Sequence, residues 1–448
     1  MIEYYHNRGK EIPLVIKRNL IPEKNVFSIL VGKNGTGKST LLGNLAIEFR
    51  KELSRIKHRN NEFLFDDDIN YNLFPFEIIS VSTSPFDKFP LDRFNRQKFY
   101  TYLGLRDINS SSIGLGYLSK IIGSLIESIA KNPKQAFEIC NVLEFLQYRD
   151  EMSIILEFNL SLNKLQELVH DKNFVKEFDN RSNPVFRRIN RQFFTNSDNT
   201  INERKLNKLY KLTFDLLENE IFNRRVFGLT INRYGFDEYE IRTEIENVLF
   251  LFEAGIIRLK DVLLNTINFN DRFSIKDASS GEQSIILSIL GIASRIKDNC
   301  LILIDEPEIC LHPHWQEKYI EILTNTFDKY RNCQFIIATH SPLIISKLSS
   351  YNSFVINLED GSIDSSESFI NNSVDFQLAN VFKNPGFKNE YLLRIAVSTF
   401  SKVSKYKKFD GRDIENLNRL SAQLNNLKKE DPIYDLTKTL IKLKEMYG

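Results

Sequence analysis

This 448-residue sequence contains few cysteines and histidines and has a small net charge. Its four cysteines form no C-x-x-C pair, so we interpret them as small core residues rather than as disulfides or metal ligands. Sixty lysines and arginines oppose 58 acidic residues, and the formal charge of +2 gives no overall attraction to nucleic acid or acidic lipid. Any contact with nucleic acid would therefore use a local patch.

Long apolar runs are also missing. The longest, Cys300 to Ile304 and Ile285 to Ala293, are far shorter than the roughly 20 residues that cross a bilayer, and the N-terminus lacks the pattern of a secretory signal. We therefore expect a cytoplasmic protein with no membrane contact. The length and the ordinary hydrophobic share, 42%, predict about three structural units or one large core with an insertion.

The clearest motif is a phosphate-binding loop. Residues 32–39 match the pattern G-x-x-x-x-G-K-[ST] at every position. The apolar run Val26–Val31 predicts a strand before the loop, and the spacing of Leu41, Leu45 and Phe49 predicts a helix after it. Backbone N–H groups of such a loop bind phosphate. The predicted nucleotide-binding residues are Gly32, Lys33, Asn34, Gly35, Thr36, Gly37, Lys38, Ser39 and Thr40.

Two acidic residues end a second apolar strand, predicted over Leu301–Ile304. Ligands bind beyond the carboxyl ends of parallel strands, so these acids should lie beside the phosphates. We predict that Asp305 and Ser39 hold Mg²⁺ while Lys38 reaches the β and γ phosphates. Glu306 is suited to accept a proton from the attacking water. The predicted cofactors are ATP and Mg²⁺.

Two polar segments lie next to further elements of an α/β fold. Ser279–Gln283 precedes an apolar helix predicted from about Gln283 to Arg295, and it is either an anion site or an ordinary helix cap. His340 follows the predicted strand Phe335–Ala338 and is a candidate γ-phosphate sensor. Strands and helices alternate over residues 277–347, which predicts a doubly wound parallel sheet.

The order of these motifs resembles the ATP-binding cassette superfamily. The runs Asp305–Glu308, Leu311–Pro313 and Ala338–Pro342 resemble its DNA-associated branch, which includes structural-maintenance, RecF-like and overcoming-lysogenization-defect ATPases. The matching motifs lie within residues 13–50 and 275–347. This resemblance implies an ATPase head with a parallel doubly wound sheet and an N-terminal antiparallel β part.

Ser82–Phe89 and Glu430–Ile433, with the short helical insert, resemble more narrowly the ATPases of anti-phage defence operons, of the Septu and retron-associated type. We predict a compact helical insertion and a helical C-terminal tail. The predicted segments are residues 1–90 and 246–360 for the two halves of the head, 91–245 for the insertion and 361–448 for the tail, a possible docking region for a partner.

The resemblance also assigns roles by position. Ser280, Gly281, Glu282 and Gln283 would form the signature segment, which contacts the γ-phosphate bound to the opposite subunit. Leu311 and His312 would lie in the loop joining the two sites, and His340 would be the switch histidine. Two heads would thus sandwich two ATP molecules in a homodimer or higher oligomer.

This sequence departs from the family pattern at two places. Glu282 replaces the common second glycine of the signature, and no glutamine follows the strand that ends near Ser82. A second contact to Mg²⁺ is therefore unassigned, with Ser84 and Asp87 as weak candidates.

Partners are indicated only indirectly. No histidine belongs to a His-Asn or Cys/His arrangement with the spacing of a metal site, and only about a hundred residues follow His340, so we predict no nuclease activity in this chain. Family analogy implies a separate HNH nuclease subunit. DNA or retron msDNA contact would use clustered cations and aromatics, although an ordinary solvated face is the stronger interpretation of these residues. These residues are Arg181, Arg187, Arg188 and Arg191 near Phe186, Phe193 and Phe194, and Lys402, Lys405, Lys407 and Lys408 around Tyr406.

The predicted function is a Mg²⁺-dependent ATPase whose dimerised heads control a nuclease effector in phage defence. Two alternatives stay open at this point. One is a DNA-repair ATPase of the RecF kind, and the other is a nucleotide-sensing inhibitor that restrains a toxin with little turnover.

Overall fold

The computed structural model describes residues 1–7, 9–58, 69–71, 75–91, 99–106, 113–161, 163–164, 166, 178, 189–196, 198–218, 225–239, 243–267 and 272–447. The strands in these ranges are β1 (Ile2–Asn7), β2 (Lys10–Pro13), β3 (Val26–Val31), β4 (Ile69–Tyr71), β5 (Glu77–Ser82), β6 (Tyr100–Leu103), β7 (Tyr148–Phe158), β8 (Val226–Asn232), β9 (Gly235–Tyr239), β10 (Ile257–Thr266), β11 (Arg272–Ser274), β12 (Cys300–Asp305), β13 (Gln334–Ala338), β14 (Ser353–Asn357) and β15 (Ile363–Ser365).

The α-helices of the same ranges alternate with the strands in the head and continue alone at the C-terminus. They are α1 (Lys38–His58), α2 (Ile113–Lys131), α3 (Lys134–Phe145), α4 (Glu203–Glu218), α5 (Ile245–Glu253), α6 (Ser280–Ala293), α7 (Pro313–Phe327), α8 (Pro342–Ser346), α9 (Val374–Asn380), α10 (Glu390–Tyr406), α11 (Gly411–Gln423) and α12 (Pro432–Tyr447).

A seven-stranded sheet forms the centre of the head, in the order β15-β14-β3-β13-β12-β5-β6. Its neighbouring strands run parallel except at the β14–β15 edge. Strands β3, β12 and β13 are buried along their whole length, because helices cover both faces of the sheet. The predicted fold class, with its doubly wound parallel sheet, is confirmed.

The N-terminal region forms a small antiparallel sheet in the order β2-β1-β4, as predicted for the antiparallel part. The apolar run Leu14–Ile16 follows the end of β2 at Pro13. Leu14 still donates its backbone N–H to Glu3 O in β1 at 2.8 Å, and its side chain is completely buried. Burial of Leu14 and Val15 accounts for the apolar character of this run.

The insertion contains helices α2, α3 and α4, but it is not purely helical. Strands β7, β8 and β9 join β10 and β11 in a five-stranded antiparallel sheet. The expectation of helices alone was wrong because Met152, Ile154, Leu156 and Phe158 alternate with period two along β7, and each is buried. The segment boundaries themselves stay predictions.

Helices α9 to α12 make the C-terminal region helical, as predicted. Leu392, Val403, Leu420, Ile433 and Leu440 are buried in a core of their own. Among the described helices, none combines the length and apolar character that crossing a membrane requires.

The cysteines only partly match their interpretation as core residues. Cys140, Cys300 and Cys333 are buried, but Cys310 is exposed. That expectation was wrong for Cys310 because the residue lies in a turn between β12 and α7, with a left-handed φ of 67°, outside the packed elements.

Candidate functional site

The phosphate loop lies between the carboxyl end of β3 and the start of α1, where the sequence predicted it. Gly32, Gly35 and Gly37 have φ values of 148°, 84° and 92°, which side chains other than glycine rarely adopt. A Cβ atom on Gly32 would also come within 2.9 Å of Thr36 Oγ1. The glycines are therefore required by the path of the loop.

Lys38 is buried within this loop. Its Nζ donates to Gly32 O at 2.9 Å and to Lys33 O at 3.3 Å. Burial lowers the pKa of Lys38, and Glu306, with Asp305 and Glu308, opposes that effect. Lys38 therefore lies close to the carboxylates at the end of β12, as the sequence predicted.

A direct hydrogen bond joins the phosphate loop to β12. Ser39 Oγ donates to Asp305 Oδ1 at 3.0 Å. Burial raises the pKa of Asp305 to about 7, while the hydrogen bond from Ser39 acts in the opposite direction. A nearby cation would favour the ionised carboxylate, and a hydroxyl beside a carboxylate is a donor set that suits Mg²⁺. These two residues therefore fit the predicted metal site.

Glu306 and His340 face each other across the ends of β12 and β13. Glu306 Oε1 lies 3.8 Å from His340 Nε2, with the two side chains 28% and 32% exposed. Burial and the charge of Lys38 lower the pKa of His340, although Glu306 raises it. The carboxylate that could accept a proton and the predicted phosphate sensor are thus both accessible and adjacent.

The signature segment begins α6 and makes mainly local bonds. Ser279, the N-cap, accepts from Glu282 N, and Glu282 Oε2 accepts from Ser279 N at 3.0 Å, which forms a capping box. Gln283 donates to the carbonyls of Lys276 and Ala278. Glu282 therefore caps α6 and Gln283 fixes the preceding turn, while Ser280 is exposed.

In the described part of the chain, no hydrogen bond joins this segment to its own phosphate loop. Gly281 instead packs against the turn before α7, since a Cβ atom there would lie 3.3 Å from Cys310 O. In that turn, Leu311 is buried and His312 caps α7 by accepting from His314 N at 3.4 Å. The structure thus joins the signature to the 310–312 loop within one chain.

The two weak candidates for a further Mg²⁺ contact are engaged locally. Asp87 accepts from Tyr102 Oη at 2.7 Å and from Phe89 N at 3.0 Å, and it pairs with Arg106. Ser84 Oγ accepts from Phe86 N at 3.2 Å. Neither side chain hydrogen-bonds to Asp305 or Ser39, although the charge of Asp87 adds to burial in raising the pKa of Asp305. The second metal contact stays unassigned.

The cationic patches are only partly described. Arg181, Arg187, Arg188 and Phe186 lie outside the described residues. Phe194 is fully buried and so cannot stack on a base. Lys402 pairs with Asp410 and Asp413, whereas Tyr406 is 64% exposed. These contacts favour the solvated-face interpretation for Lys402.

Two polar residues that the sequence did not single out also contact the site. Glu308 accepts hydrogen bonds from His340 N and from Thr339 Oγ1, and Gln316 accepts from Ser341 Oγ. Glu308 was visible within the run Asp305–Glu308, but nothing in the sequence showed which strand end it would contact. No group of three or more His, Cys, Asp or Glu residues in the described ranges could hold a metal ion.

Residues 131–346 match a family model described as "AAA domain, putative AbiEii toxin, Type IV TA system". The chain carries an AAA-family domain. The matched range includes β12, the 310–312 loop and His340, and it begins after the phosphate loop.

Two curated proteins are also similar to this chain. The chain is homologous to the retron Vc95 probable ATPase of Vibrio cholerae, at 27% identity over 75% of this chain and 69% of that protein. It is also similar to the Septu protein PtuA of Bacillus mycoides, at 32% identity over 31% of this chain and 21% of that protein.

Among solved structures, an Smc head domain from Pyrococcus furiosus aligns with this chain over 82% of this chain and 97% of the Smc chain. The identity is 13% and the TM-score is 0.29, so this similarity is too weak to bear on the site.

Proposed function

We propose that this protein is a Mg²⁺-dependent ATPase that hydrolyses ATP at the end of β12. The hydrogen bond between Ser39 and Asp305 carries the proposal, because it joins a phosphate loop to a carboxylate 266 positions away in the sequence. The printed name of the Vibrio relative, a probable ATPase, supports the same activity.

In the proposed mechanism, the phosphate loop and Lys38 bind the triphosphate. Glu306 accepts a proton from the attacking water at its carboxylate. His340, whose pKa is lowered, is mainly neutral and can donate or accept a hydrogen bond at the γ-phosphate through Nε2. Ser39 and Asp305 would hold Mg²⁺, which would supply positive charge beside the phosphates.

The proposal includes a second copy of the chain. Ser280 is exposed at the start of α6 and has no bond to its own phosphate loop. A helix N-terminus favours anions. We therefore place ATP between two heads, with Ser280 of one head completing the site of the other.

The biological role is proposed from the homology to the retron and Septu proteins. In it, ATP binding and hydrolysis by paired heads control a separate HNH nuclease subunit in anti-phage defence, and the helical C-terminal region is the proposed docking surface. The description of the matched family names a toxin, which keeps a nucleotide-sensing inhibitor of a toxin as the second candidate.

Two variants test the ATPase proposal. Glu306→Gln should keep ATP binding and lose turnover by about 10² to 10⁴, because the amide cannot accept the proton. Lys38→Ala should lose ATP binding itself. Binding is measured with a fluorescent ATP analogue and turnover by phosphate release. Full turnover in Glu306→Gln would remove Glu306 from its role.

The same pair distinguishes the two biological roles in cells. If the protein acts through hydrolysis, both variants lose protection against phage. If it only senses nucleotide, Glu306→Gln keeps restraint of the toxin and Lys38→Ala loses it.

A further inference from the structure

Glu308 holds the turn that carries the switch histidine. Its Oε2 accepts from Thr339 Oγ1 at 2.9 Å, and its Oε1 accepts from His340 N. Both carboxylate oxygens are therefore engaged by the residues that follow β13. This second glutamate of the run Asp305–Glu308 is aimed at the turn and not at Ser39 or Asp305.

The contact belongs to a closed ring of hydrogen bonds. Thr339 Oγ1 accepts from Ser341 N at 3.0 Å, and Ser341 Oγ donates to Gln316 Oε1 at 2.6 Å. Gln316 Nε2 donates to Leu311 O at 2.9 Å, and Leu311 N donates to Glu308 O at 3.0 Å. The ring thus joins the residues after β12, the start of α7 and the turn at residues 339–341, which carries His340.

Two residues in or next to this ring have an uncommon backbone conformation. Glu306 and Cys310 have φ values of 49° and 67°, in the left-handed region, which costs a residue other than glycine free energy. Glu306 also donates its N–H to Ala338 O at 2.9 Å. The hydrogen bonds on either side of Glu308 therefore fix where the Glu306 side chain points.

We infer that Glu308 and Gln316 are positioning residues for ATP hydrolysis. They set His340 opposite Glu306 and connect that pair to the 310–312 loop, against which Gly281 packs. A shift of the 310–312 loop would therefore move His340 through the side chains of Glu308 and Gln316. This inference rests on the proposed ATPase function.

The test compares Glu308→Gln with Glu308→Ala. A glutamine can keep both contacts, since its Oε1 accepts from His340 N and its Nε2 donates to Thr339 Oγ1 once that hydroxyl rotates. We expect Glu308→Gln to keep kcat within about threefold of wild type. Glu308→Ala should lower kcat by about 10- to 100-fold with KM for ATP unchanged.

A double-mutant cycle tests the ring. Gln316→Ala should lower kcat in the same way, and the double variant should lose no more than the larger single loss, because one broken link already frees the turn. Multiplicative losses would show that the two residues act separately and would overturn the ring.

Amide hydrogen exchange of residues 338–341, measured without nucleotide, keeps this inference separate from the ATPase proposal. Glu308→Ala should accelerate exchange there and Glu308→Gln should not, while thermal unfolding verifies that both variants fold. Loss of turnover in Glu308→Gln equal to that in Glu306→Gln would make Glu308 catalytic. Unchanged exchange and kcat in Glu308→Ala would remove its positioning role. If the wild type lacks ATPase activity but exchange responds as expected, the proposed function fails and the structural ring stands.

Discussion

Among single residues, the cysteines differ most in their surroundings. Burial raises the pKa of Cys140 and Cys333 to about 12, so both stay as unreactive thiols at neutral pH. Cys310 is exposed in the loop that packs against Gly281. It therefore offers a natural probe of the surface on which the second head is proposed to bind.

We expect one thiol of the native protein to react rapidly with dithionitrobenzoate at pH 8, and Cys310→Ser to abolish that reaction. In Glu306→Gln, ATP should slow labelling of Cys310 by at least about tenfold, because the partner head covers the loop. Lys38→Ala with ATP is the matched control and should label at the rate of the free protein. Equal rates with and without ATP would contradict the proposed placement of the dimer interface.

Residue roles were predictable where chemistry fixes the spacing. A phosphate loop needs its glycines, lysine and serine at set positions, so Gly32 to Ser39 could be read without a structure. Glu308 and Gln316 could not, because their partners follow another strand. Whether such a side chain binds a metal, accepts a proton or holds a neighbouring turn depends on which strand ends lie next to each other in the sheet.

At the scale of one element, the start of α6 separates two neighbouring serines. Ser279 caps the helix through its capping box with Glu282, whereas Ser280 is exposed and makes no cap bond. A stability role and a binding role can therefore be tested at adjacent positions.

Ser279→Ala should lower the free energy of unfolding by about 1 kcal/mol through loss of the cap, and turnover measured under native conditions should fall little. Ser280→Ala should leave stability within about 0.5 kcal/mol and lower turnover at saturating ATP. Urea unfolding and phosphate release measure the two effects. The opposite assignment, with Ser280→Ala destabilising and fully active, would remove Ser280 from the nucleotide site.

Elements of the head were more predictable than those of the insertion. Fully buried strands such as β3 and β12 appear as short, mostly apolar runs that stop at a glycine or an acidic residue. In β7, only the buried residues Met152, Ile154, Leu156 and Phe158 recur with period two, and Ile154–Leu156 is a continuous apolar run. The strand also follows helix α3 directly, so the sequence pattern favours a longer helical region. Its partner β10 lies about a hundred residues later, so pairing could not be anticipated locally.

At the scale of the whole molecule, the proposal requires two chains for each site. An equal mixture of Glu306→Gln and Ser280→Ala should recover about a quarter of wild-type turnover. Half of the dimers are mixed under random exchange, and each mixed dimer has one intact site of two. Phosphate release is measured after the variants have been mixed without nucleotide.

The control mixture combines Glu306→Gln with Lys38→Ala, both of which alter the same half of the site. Neither site of that mixed dimer is intact, so turnover should stay at the level of the separate variants. Recovery in both mixtures, or in neither, would contradict completion of the site by the opposite chain.

The place of β3 in the central sheet has a consequence for synthesis of the protein. Its backbone is bonded on one side to β13 and on the other to β14, both made after most of the polypeptide has left the ribosome. The phosphate loop that follows β3 therefore cannot be stabilised by the sheet during early translation, since β13 and β14 have not yet been synthesised. Chains released prematurely before about residue 357 would be unable to hold nucleotide, so an incomplete product could not act in place of the finished one.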